Sequence, residues 1–417
     1  MIREYIEAAL GLRRADLVIS GGTIVNVLTG ELWEADLAIY RGRIVSVGRG
    51  ASGEEELSAD GLYLIPGLMD AHMHVESTLT VPQSLARALV PRGVTSVFAD
   101  PHEVANVLGV RGIELLLSVA GEAPLRLFLQ VPSRVPTAPG LEDSGAEVTT
   151  EDVAALLGEA ASLGEMNYQH VLSLSPEHLA RVEIALSMGR VVDGHMAGLS
   201  GPGVDACVAA GLSDDHECVS GEEALERVRR GCAVMVREGS TERNLRDVLP
   251  ALAGLPDARM VMFCTDDRHP DDLLSEGSVD AMVRTAIELG VDPVRAVQMA
   301  TINTARHFGV DRLVGCLAPG RAADVVAVGD LRRMDVEFVL FDGRPVFWRG
   351  ETLFEYERPS VPGWALDTVR VADLSPGDLL LEAPGWASEA VVRVIEVIAG
   401  QIVNREGSCL LYTSDAA

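Results

Sequence analysis

The stretch Asp70-Ala-His72-Met-His74-Val-Glu76 follows the apolar run Leu62–Met69 and provides the central clue to the fold. Side chains alternate from face to face along a β-strand, so two histidines two residues apart point the same way and can bind one metal ion. An isolated His-x-His pair is more often a coincidence or part of a solvated loop. Here, further His, Glu and Asp residues follow at the ends of later predicted strands, which favours a metal site.

The composition bounds the class of protein and its partners. The chain has 417 residues, enough for one large α/β barrel and a smaller domain. Its 62 acidic and 34 basic residues give a net charge of −28, which repels phosphate backbones and anionic membranes. We therefore expect neither nucleic acid nor a membrane as a partner. No apolar run approaches the ~20 residues of a membrane helix. We expect no secretory signal at the N-terminus and a cytoplasmic location.

All of the basic residues are arginine, and the sequence contains no lysine. Some two-metal hydrolases bridge their ions with a carboxylated lysine, which this chain cannot supply. A bridge between two ions must therefore be an ordinary Asp or Glu carboxylate. The six cysteines include no Cys-x-x-Cys pair and are too sparse for a disulfide framework, which indicates buried thiols in a reducing compartment.

Two β-rich segments flank the centre of the chain. Short alternating runs, broken by Gly21-Gly22 and Arg41-Gly42, predict a β-meander over residues 15–60. Similar runs return at residues 324–348. We expect residues 1–62 and 318–360 to form one composite β-sandwich.

Between these segments, strands and helices alternate, which predicts a parallel sheet. Eight repeats favour a closed TIM-type (β/α)8 barrel over residues 63–317. Helices are expected at residues 151–161, 220–230 and 293–306, and a Pro/Gly-rich loop at 132–148 is placed to cover the mouth of the barrel. The alternative is an open doubly wound sheet, but no Gly-x-Gly-x-x-Gly follows any strand. The eight strands are expected to end near His74, Asp100, Val131, Glu165, His195, His216, Arg237 and Thr265.

The composition changes after residue 360. Apolar runs at residues 366–381 and 390–403 indicate that residues 361–407 are the start of a truncated C-terminal β-rich domain. Residues 408–417 do not continue the pattern before them, and we expect them to be a non-native tail.

The polar residues at the predicted strand ends form a candidate metal site, because barrel enzymes place their chemistry at the carboxyl ends of the strands. Four imidazoles and two carboxylates suit two divalent ions with one carboxylate bridging them. Since lysine is absent, Glu165 is the natural bridge. The candidate ligands are His72, His74, Glu165, His195, His216 and Asp266.

Each ligand also has an ordinary structural explanation. His195 and His216, taken singly, are typical of core histidines, and Glu165 after a glycine is typical of a helix start. Asp266 competes with Asp267 for the ligand role, because acidic loop clusters are commonly solvated. The shared position at strand ends favours the metal site over coincidence. Structural or surface roles are assigned to His170, His178 and His307.

Several motifs carry a family resemblance. The stretches Pro66-Gly-Leu-Met-Asp-Ala-His-Met-His74 and Gly315-Cys-Leu-Ala-Pro-Gly-Arg-Ala-Ala-Asp324 resemble the amidohydrolase superfamily. Longer stretches, at residues 70–78, 99–109, 213–217, 236–240 and 264–274, resemble the adenine deaminase family within it. The resemblance extends over most of the chain. It implies a two-metal barrel enzyme that uses manganese or iron(II) to hydrolyse adenine to hypoxanthine and ammonia. His and carboxylate donors also accept zinc, which is the alternative metal.

The expected mechanism assigns catalytic roles to Asp266, Glu165 and His216. Asp266 is expected to collect the proton of the attacking water, and His216 or His269 to support the developing charge. The positions of Glu103 and Arg237 are as typical of an internal ion pair as of substrate contact. We expect a homo-oligomer by analogy with large barrels of this class. The candidates for contact with the base are His102, Glu103, Arg237, Glu238, Ser240, Asp267, Arg268 and His269.

Two kinds of alternative remain open. The first is another amidohydrolase, such as an adenosine, cytosine or guanine deaminase or a cyclic-amide hydrolase; the missing lysine disfavours the lysine-bridged enzymes. The Pro-Cys-x-x-Cys motif of the zinc nucleoside deaminases is absent. The second is a non-catalytic homologue or an inactive truncated chain. Retention of every expected His and Asp ligand argues against a non-catalytic homologue.

Overall fold

The computed structural model describes residues 1–121, 123–356, 358–380 and 389–412. Its strands are β1 (Ala15–Ser20), β2 (Thr23–Asn26), β3 (Glu31–Glu34), β4 (Asp36–Tyr40), β5 (Arg43–Gly48), β6 (Gly53–Ser58), β7 (Tyr63–Pro66), β8 (Leu68–Met73), β9 (Val94–Ala99), β10 (Arg126–Val131), β11 (Ser162–Asn167), β12 (Val191–His195), β13 (Asp214–Asp215), β14 (Ala233–Arg237), β15 (Val261–Cys264), β16 (Val325–Val328), β17 (Val336–Phe341), β18 (Arg344–Trp348), β19 (Glu351–Thr352), β20 (Glu389–Glu396) and β21 (Arg405–Tyr412).

The helices are α1 (Ile2–Ala9), α2 (Pro82–Leu89), α3 (His102–Leu108), α4 (Val110–Ala120), α5 (Thr150–Leu156), α6 (Tyr168–Leu172), α7 (Pro176–Ser187), α8 (Pro202–Ala210), α9 (Gly221–Arg229), α10 (Leu245–Ala253), α11 (Pro270–Ser275), α12 (Val279–Glu288), α13 (Pro293–Met299) and α14 (Ile302–His307). Short 3-10 helices lie at Val75–Thr78, Val90–Arg92, Gly363–Ala365 and Pro376–Leu379.

Eight parallel strands form the centre of the molecule. One sheet has the order β12-β11-β10-β9-β8, and a second has the order β13-β14-β15. A parallel bridge joins Met73 to Asp266, and the Ser213 amide donates to the Val192 carbonyl at 2.9 Å. Every predicted strand end lies within two residues of an observed one. The carboxyl ends of all eight strands therefore lie on one side of a curled parallel sheet.

The predicted helices are present, with two differences, the first of which is that α5 ends at Leu156 and not at residue 161. Helix α5 begins at a capping box in which Thr149 and Asp152 bond each other reciprocally, and the Ser220 hydroxyl accepts from the Glu223 amide at the start of α9. The expected helix over 293–306 is divided into α13 and α14. Thr301 has non-helical angles (φ −143°, ψ −91°), and its hydroxyl donates to the Val297 carbonyl at 2.6 Å. This local hydrogen bond competes with the helical ladder.

Two mixed sheets lie beside the parallel strands. One has the order β5-β4-β1-β6 and the other β19-β18-β17-β16-β7-β2-β3. A single apolar cluster joins them, in which Leu37 and Ile39 of the first sheet pack with Ile24 and Phe338 of the second. The prediction of one β-meander was wrong, because β1 pairs with β4 and β6 whereas β2 joins the second sheet. Alternation of apolar residues identifies strands but does not specify their partners.

The C-terminal part of the chain differs from the expected β-rich pattern. Residues 366–380 contain no strand, and residue 381 lies outside the described residues. Strands β20 and β21 form an antiparallel hairpin in which Val392 is opposite Cys409. Residues 408–412 of the expected non-native tail therefore continue β21, and residues 413–417 lie outside the described part. Among the described helices, none has the length and apolar character that crossing a membrane requires.

An ion pair ties the mixed sheets to the parallel strands. Arg126 begins β10, and its Nε and Nη2 donate to the two carboxylate oxygens of Asp324 at 3.0 and 3.2 Å. The Asp324 side chain is only 4% exposed, so its charge depends on this bidentate partner. The Asp342 amide donates a further hydrogen bond to Asp324 at 2.9 Å.

We predict that Arg126→Ala lowers the free energy of unfolding by about 3 kcal/mol, the lower end of the range for removing one partner of a buried ion pair. Chemical denaturation measures this change. Arg49→Ala is the matched control, because Arg49 pairs with Glu34 where both side chains are about three-quarters exposed. Equal stability of the two variants would contradict a structural role for the Arg126–Asp324 pair.

Candidate metal centre

Glu165 lies at the centre of a buried cluster of histidines. Its Oε1 is 3.2 Å from Nε2 of His72, 3.0 Å from Nε2 of His74 and 3.5 Å from Nε2 of His216. Asp266 lies beside the same cluster, with Oδ1 3.5 Å from Nε2 of His74. The ring of His195 lies 5.6 Å from that of His216 between centroids. The structure thus brings all six predicted ligands together.

The elements that supply these side chains explain their convergence. His72 lies on β8 and His74 directly follows it, whereas Glu165 lies on β11 and His195 ends β12. His216 and Asp266 come directly after β13 and just beyond β15. Because the strands are parallel, their carboxyl ends deliver all six side chains to one region.

Two groups of ligand atoms share Glu165. The first consists of His72, His74, Glu165 and Asp266, and the second of Glu165, His195 and His216. Within each group, one ligand atom from every residue lies within 4.8 Å of the others. A single carboxylate therefore lies between two sets of donors.

The donor set fits divalent cations. Both ring nitrogens of His216 are buried and have no hydrogen-bond partner among the described residues. Burial lowers the pKa of the His74 and His216 imidazoles, but the surrounding carboxylates outweigh it and hold both pKa values well above their usual range. A buried cluster that favours positive charge and offers imidazole and carboxylate donors is suited to metal binding.

Arg134 keeps the shared carboxylate ionised. Its guanidinium contacts Glu165 Oε2, and its Nε donates to the Glu165 backbone carbonyl at 3.0 Å. Burial raises the pKa of Glu165, but Arg134 and His74 outweigh it, so the pKa lies well below its usual range. Arg134 belongs to the Pro/Gly-rich loop expected at the mouth of the barrel, and it was not predicted as a site residue.

Asp193 and Gln130 orient the histidines by facing their Nδ1 atoms, which lie on the ring edge away from Glu165. Asp193 Oδ2 lies 3.0 Å from Nδ1 of His72, and its Oδ1 lies 3.5 Å from Nδ1 of His216. Gln130 donates to Asp193 at 3.0 Å, and its Oε1 is 2.9 Å from Nδ1 of His72. These contacts direct the Nε2 atoms toward Glu165, as outer partners of metal ligands do. Both residues were missed, although Asp193 lies two positions before His195, on the same face of β12.

Asp266 is held by its backbone and its side chain. Its amide donates to the His72 carbonyl at 3.0 Å, and its carbonyl accepts from the His74 amide at 3.1 Å. These bonds support a left-handed backbone, with φ at +56°. Arg237 Nη1 donates to Asp266 Oδ2 and to Glu217 Oε1, both at 2.8 Å. Burial raises the pKa of Asp266, but Arg237 and His216 bring it below its usual value.

The expected base-contacting residues fall into two sets, and the first set lies beside the candidate ligands His74, Glu165 and Asp266. Glu103 Oε2 is 3.2 Å from Nδ1 of His74, and Arg237 forms the internal ion pair with Glu217 and Asp266. His102 Nε2 lies 2.9 Å from the Thr137 hydroxyl, and burial lowers its pKa to about 4.

The second set holds the loops after β14 and β15. Glu238 accepts from the Leu245 amide, and Arg268 donates to the Gly239 carbonyl at 2.7 Å. Ser240 donates to Asp272 at 2.5 Å and accepts from the His269 amide at 2.8 Å. In this set, Asp267 is the residue whose pKa depends on the candidate metal centre, since burial and the Asp266 carboxylate raise it to about 6.

The remaining histidines lie outside the cluster. His170 and His178 stack with ring centroids 3.6 Å apart, and His307 bonds Asp214. One further buried carboxylate, Asp100, has no hydrogen-bond partner for either oxygen among the described residues. Asp100 follows β9, and burial together with Glu165 raises its pKa well above its usual range.

Comparisons with known proteins identify the family. A family model described as "Amidohydrolase family" matches residues 63–346. Proteins named adenine deaminase from Kosmotoga olearia and Archaeoglobus fulgidus are 38% and 42% identical to this chain, each over 97% of it and 70% and 69% of their own length. The protein of that name from Geobacillus kaustophilus is 41% identical over 94% of this chain and 68% of its own.

The chain belongs to the amidohydrolase family. The resemblance in its motifs is therefore confirmed. A solved β-aspartyl dipeptidase from Fervidobacterium islandicum AW-1 shares the fold, with a TM-score of 0.62 at 18% identity over 82% of this chain and 99% of its own. A solved atrazine chlorohydrolase mutant from Arthrobacter aurescens TC1, complexed with zinc and atraton, has a TM-score of 0.60 at 16% identity. The match covers 82% of this chain and 97% of that one. These two likenesses concern the fold alone.

We predict that Asp193→Asn weakens divalent-metal binding by about 10- to 100-fold, the usual effect of losing an outer partner of a metal ligand. The change keeps the side-chain size but removes the charge that faces Nδ1 of His72. Chelator competition measures the affinity. Asp205→Asn is the matched control, because Asp205 is 60% exposed and pairs with Arg230. Unchanged affinity in Asp193→Asn would contradict the positioning role.

Proposed function

We propose that this amidohydrolase is an adenine deaminase, which hydrolyses adenine to hypoxanthine and ammonia. The observation that carries the proposal is the pair of donor groups sharing Glu165, with Asp266 fixed beside them. The relatives named adenine deaminase align with nearly the whole chain, including every strand that supplies a donor. We also propose that the eight parallel strands form one closed (β/α)8 barrel, as the bridge between Met73 and Asp266 suggests.

The two donor groups would hold two divalent ions. His72, His74 and Asp266 would hold one and His195 and His216 the other, with Glu165 between them. Mixed imidazole and carboxylate donors suit manganese or iron(II), with zinc as the alternative. When bound, such ions supply Lewis acidity and make a water molecule acidic enough to yield hydroxide near neutral pH.

Asp266 is the proposed proton carrier. Water attacks C6 of adenine, so that C6 becomes tetrahedral while the electron pair of its double bond to N1 moves onto N1. Asp266 takes one of the two water protons and delivers it to the departing amino group, and the other proton ends on N1. The C6–N6 bond then breaks, ammonia leaves, and the oxygen remains as the C6 carbonyl of hypoxanthine. Its lowered pKa and its bond from Arg237 keep the carboxylate ionised and correctly turned before the reaction.

The proposed base-recognition groups lie around this centre. His102 is uncharged at neutral pH, because burial brings its pKa to about 4, so it can offer one donor and one acceptor. Asp267, Glu103 and His269 are further candidates for the ring nitrogens of adenine. We assign Arg237, Glu238, Ser240 and Arg268 to holding Asp266 and the neighbouring loops, on the basis of the ion pairs and hydrogen bonds described above.

We predict that the protein loaded with manganese or iron(II) releases ammonia from adenine and not from adenosine. Asp266→Asn should lower kcat by about 100- to 10,000-fold, since a positioned acid–base group contributes that factor. Asp335→Asn is the matched control, at a half-exposed carboxylate that pairs with Arg333. Ammonia release and metal content are measured on the same samples. Turnover of adenosine but not adenine would overturn the assignment of adenine as the substrate. Full activity of Asp266→Asn with metal bound would overturn the proposed role of Asp266.

A further inference from the structure

The C-terminal hairpin contacts the rest of the molecule through its turn. Its strands are open to solvent, with Val391 71% and Ile395 75% exposed. Alternate residues of β20 are partly buried, whereas in the turn residues 400–403 are partly buried without interruption, as is Ile398. Gly400 has the left-handed backbone (φ +73°) that tight turns require.

The turn lies on two loops that leave the carboxyl ends of site-bearing strands. The Asn244 side-chain amide, in the loop between β14 and α10, donates to the Gly400 carbonyl at 3.1 Å. A β-carbon added to Gly198, just after β12, would lie 3.6 Å from Cγ1 of Val403. The turn therefore lies on the same side of the sheet as the metal centre.

Asn244 also connects the turn to the proposed proton carrier. Its side chain is fully buried, and its Oδ1 accepts from Nη2 of Arg237 at 3.4 Å. Arg237 in turn bonds Asp266 through Nη1 at 2.8 Å. One amide thus bonds the turn through its nitrogen and the Arg237–Asp266 pair through its oxygen.

We propose that residues 398–403 form one wall of the substrate site and that Asn244 is the positioning residue that fastens this wall to the Arg237–Asp266 pair. The inference rests on the proposed function, since it assigns the wall to adenine binding. A wall docked through a buried amide can exclude water from the reacting base when it covers the site. The position of residues 398–403 and the orientation of Asp266 then both depend on the Asn244 side chain.

Two substitutions at Asn244 separate its bond to the Gly400 carbonyl from its bond to Arg237. Asn244→Asp keeps an oxygen that accepts from Arg237 but cannot donate to the Gly400 carbonyl. Asn244→Ala removes both bonds. We expect both variants to raise the KM for adenine by about 10-fold or more, and only Asn244→Ala to lower kcat by about 10- to 100-fold, as loss of outer support for a site residue does.

Gly400→Val tests the role of the turn by a change within the turn itself. A β-branched residue is strained at a positive φ, and a β-carbon at Gly400 would meet no neighbour within 4 Å, so any effect arises from turn conformation. Gly350→Val is the matched control, because Gly350 has φ +92° with equal space and connects β18 to β19 in the mixed sheet. We expect Gly400→Val to raise KM about as Asn244→Asp does, and Gly350→Val to leave it unchanged.

Hydrogen exchange supplies a readout that does not depend on turnover. Peptides covering residues 397–404 are followed in the full chain with and without hypoxanthine, which is the inert product. We expect hypoxanthine to slow exchange of this segment in the wild-type protein and not in Asn244→Ala.

The outcomes distinguish this inference from the proposed function. If the metal-loaded wild type releases no ammonia from adenine, the proposed function fails. If the wild type turns adenine over but Asn244→Asp and Gly400→Val keep its KM, and hypoxanthine leaves exchange of the turn unchanged, the wall is overturned. Should Asn244→Ala lose its fold or its metal, the Gly400→Val kinetics and wild-type exchange decide the question.

Discussion

A carboxylate buried among four imidazoles is the constraint around which the molecule is arranged. Without partners, burial would keep the carboxyl group of Glu165 neutral, because removal from water penalises the charged form. Arg134 supplies a permanent positive charge on one side, and the histidines supply hydrogen bonds on the other. The ionised oxygen can then face two donor groups at once. Arg134 is therefore part of the site, although it is not a candidate ligand.

Further buried charged residues surround Glu165 and contact the histidines and Asp266. Asp193 faces the Nδ1 atoms of His72 and His216 together, so one buried charge orients donors from both groups. On the opposite side, Arg237 is shared by Asp266 and Glu217. These buried charges have multiple partners, which is the condition under which buried ionic groups are tolerated. The cluster consequently behaves as one network, and removal of a single outer member is expected to disturb several ligands.

The sequence was sufficient to predict the parallel strands and the convergence of the six candidate ligands. Strand periodicity and the His72-Met-His74 spacing are local properties, and the parallel arrangement of strands brings their ends together regardless of loop detail. Asp193, Gln130 and Arg134 were not predicted, because their roles depend on contacts across neighbouring strands and loops. The pairing of β1 with β4 and β6 was missed for a similar reason: strand partners are chosen by tertiary packing. The division between α13 and α14 falls at Thr301, whose hydroxyl bonds the Val297 carbonyl, and helical periodicity does not predict this contact.

The central claim is that Glu165 lies between two metal positions. Anomalous diffraction from crystals of the manganese-loaded protein tests it directly. The account predicts two anomalous peaks on either side of the Glu165 carboxylate, one beside His72 and His74 and the other beside His195 and His216. A single peak, or two peaks that Glu165 does not bridge, would contradict it.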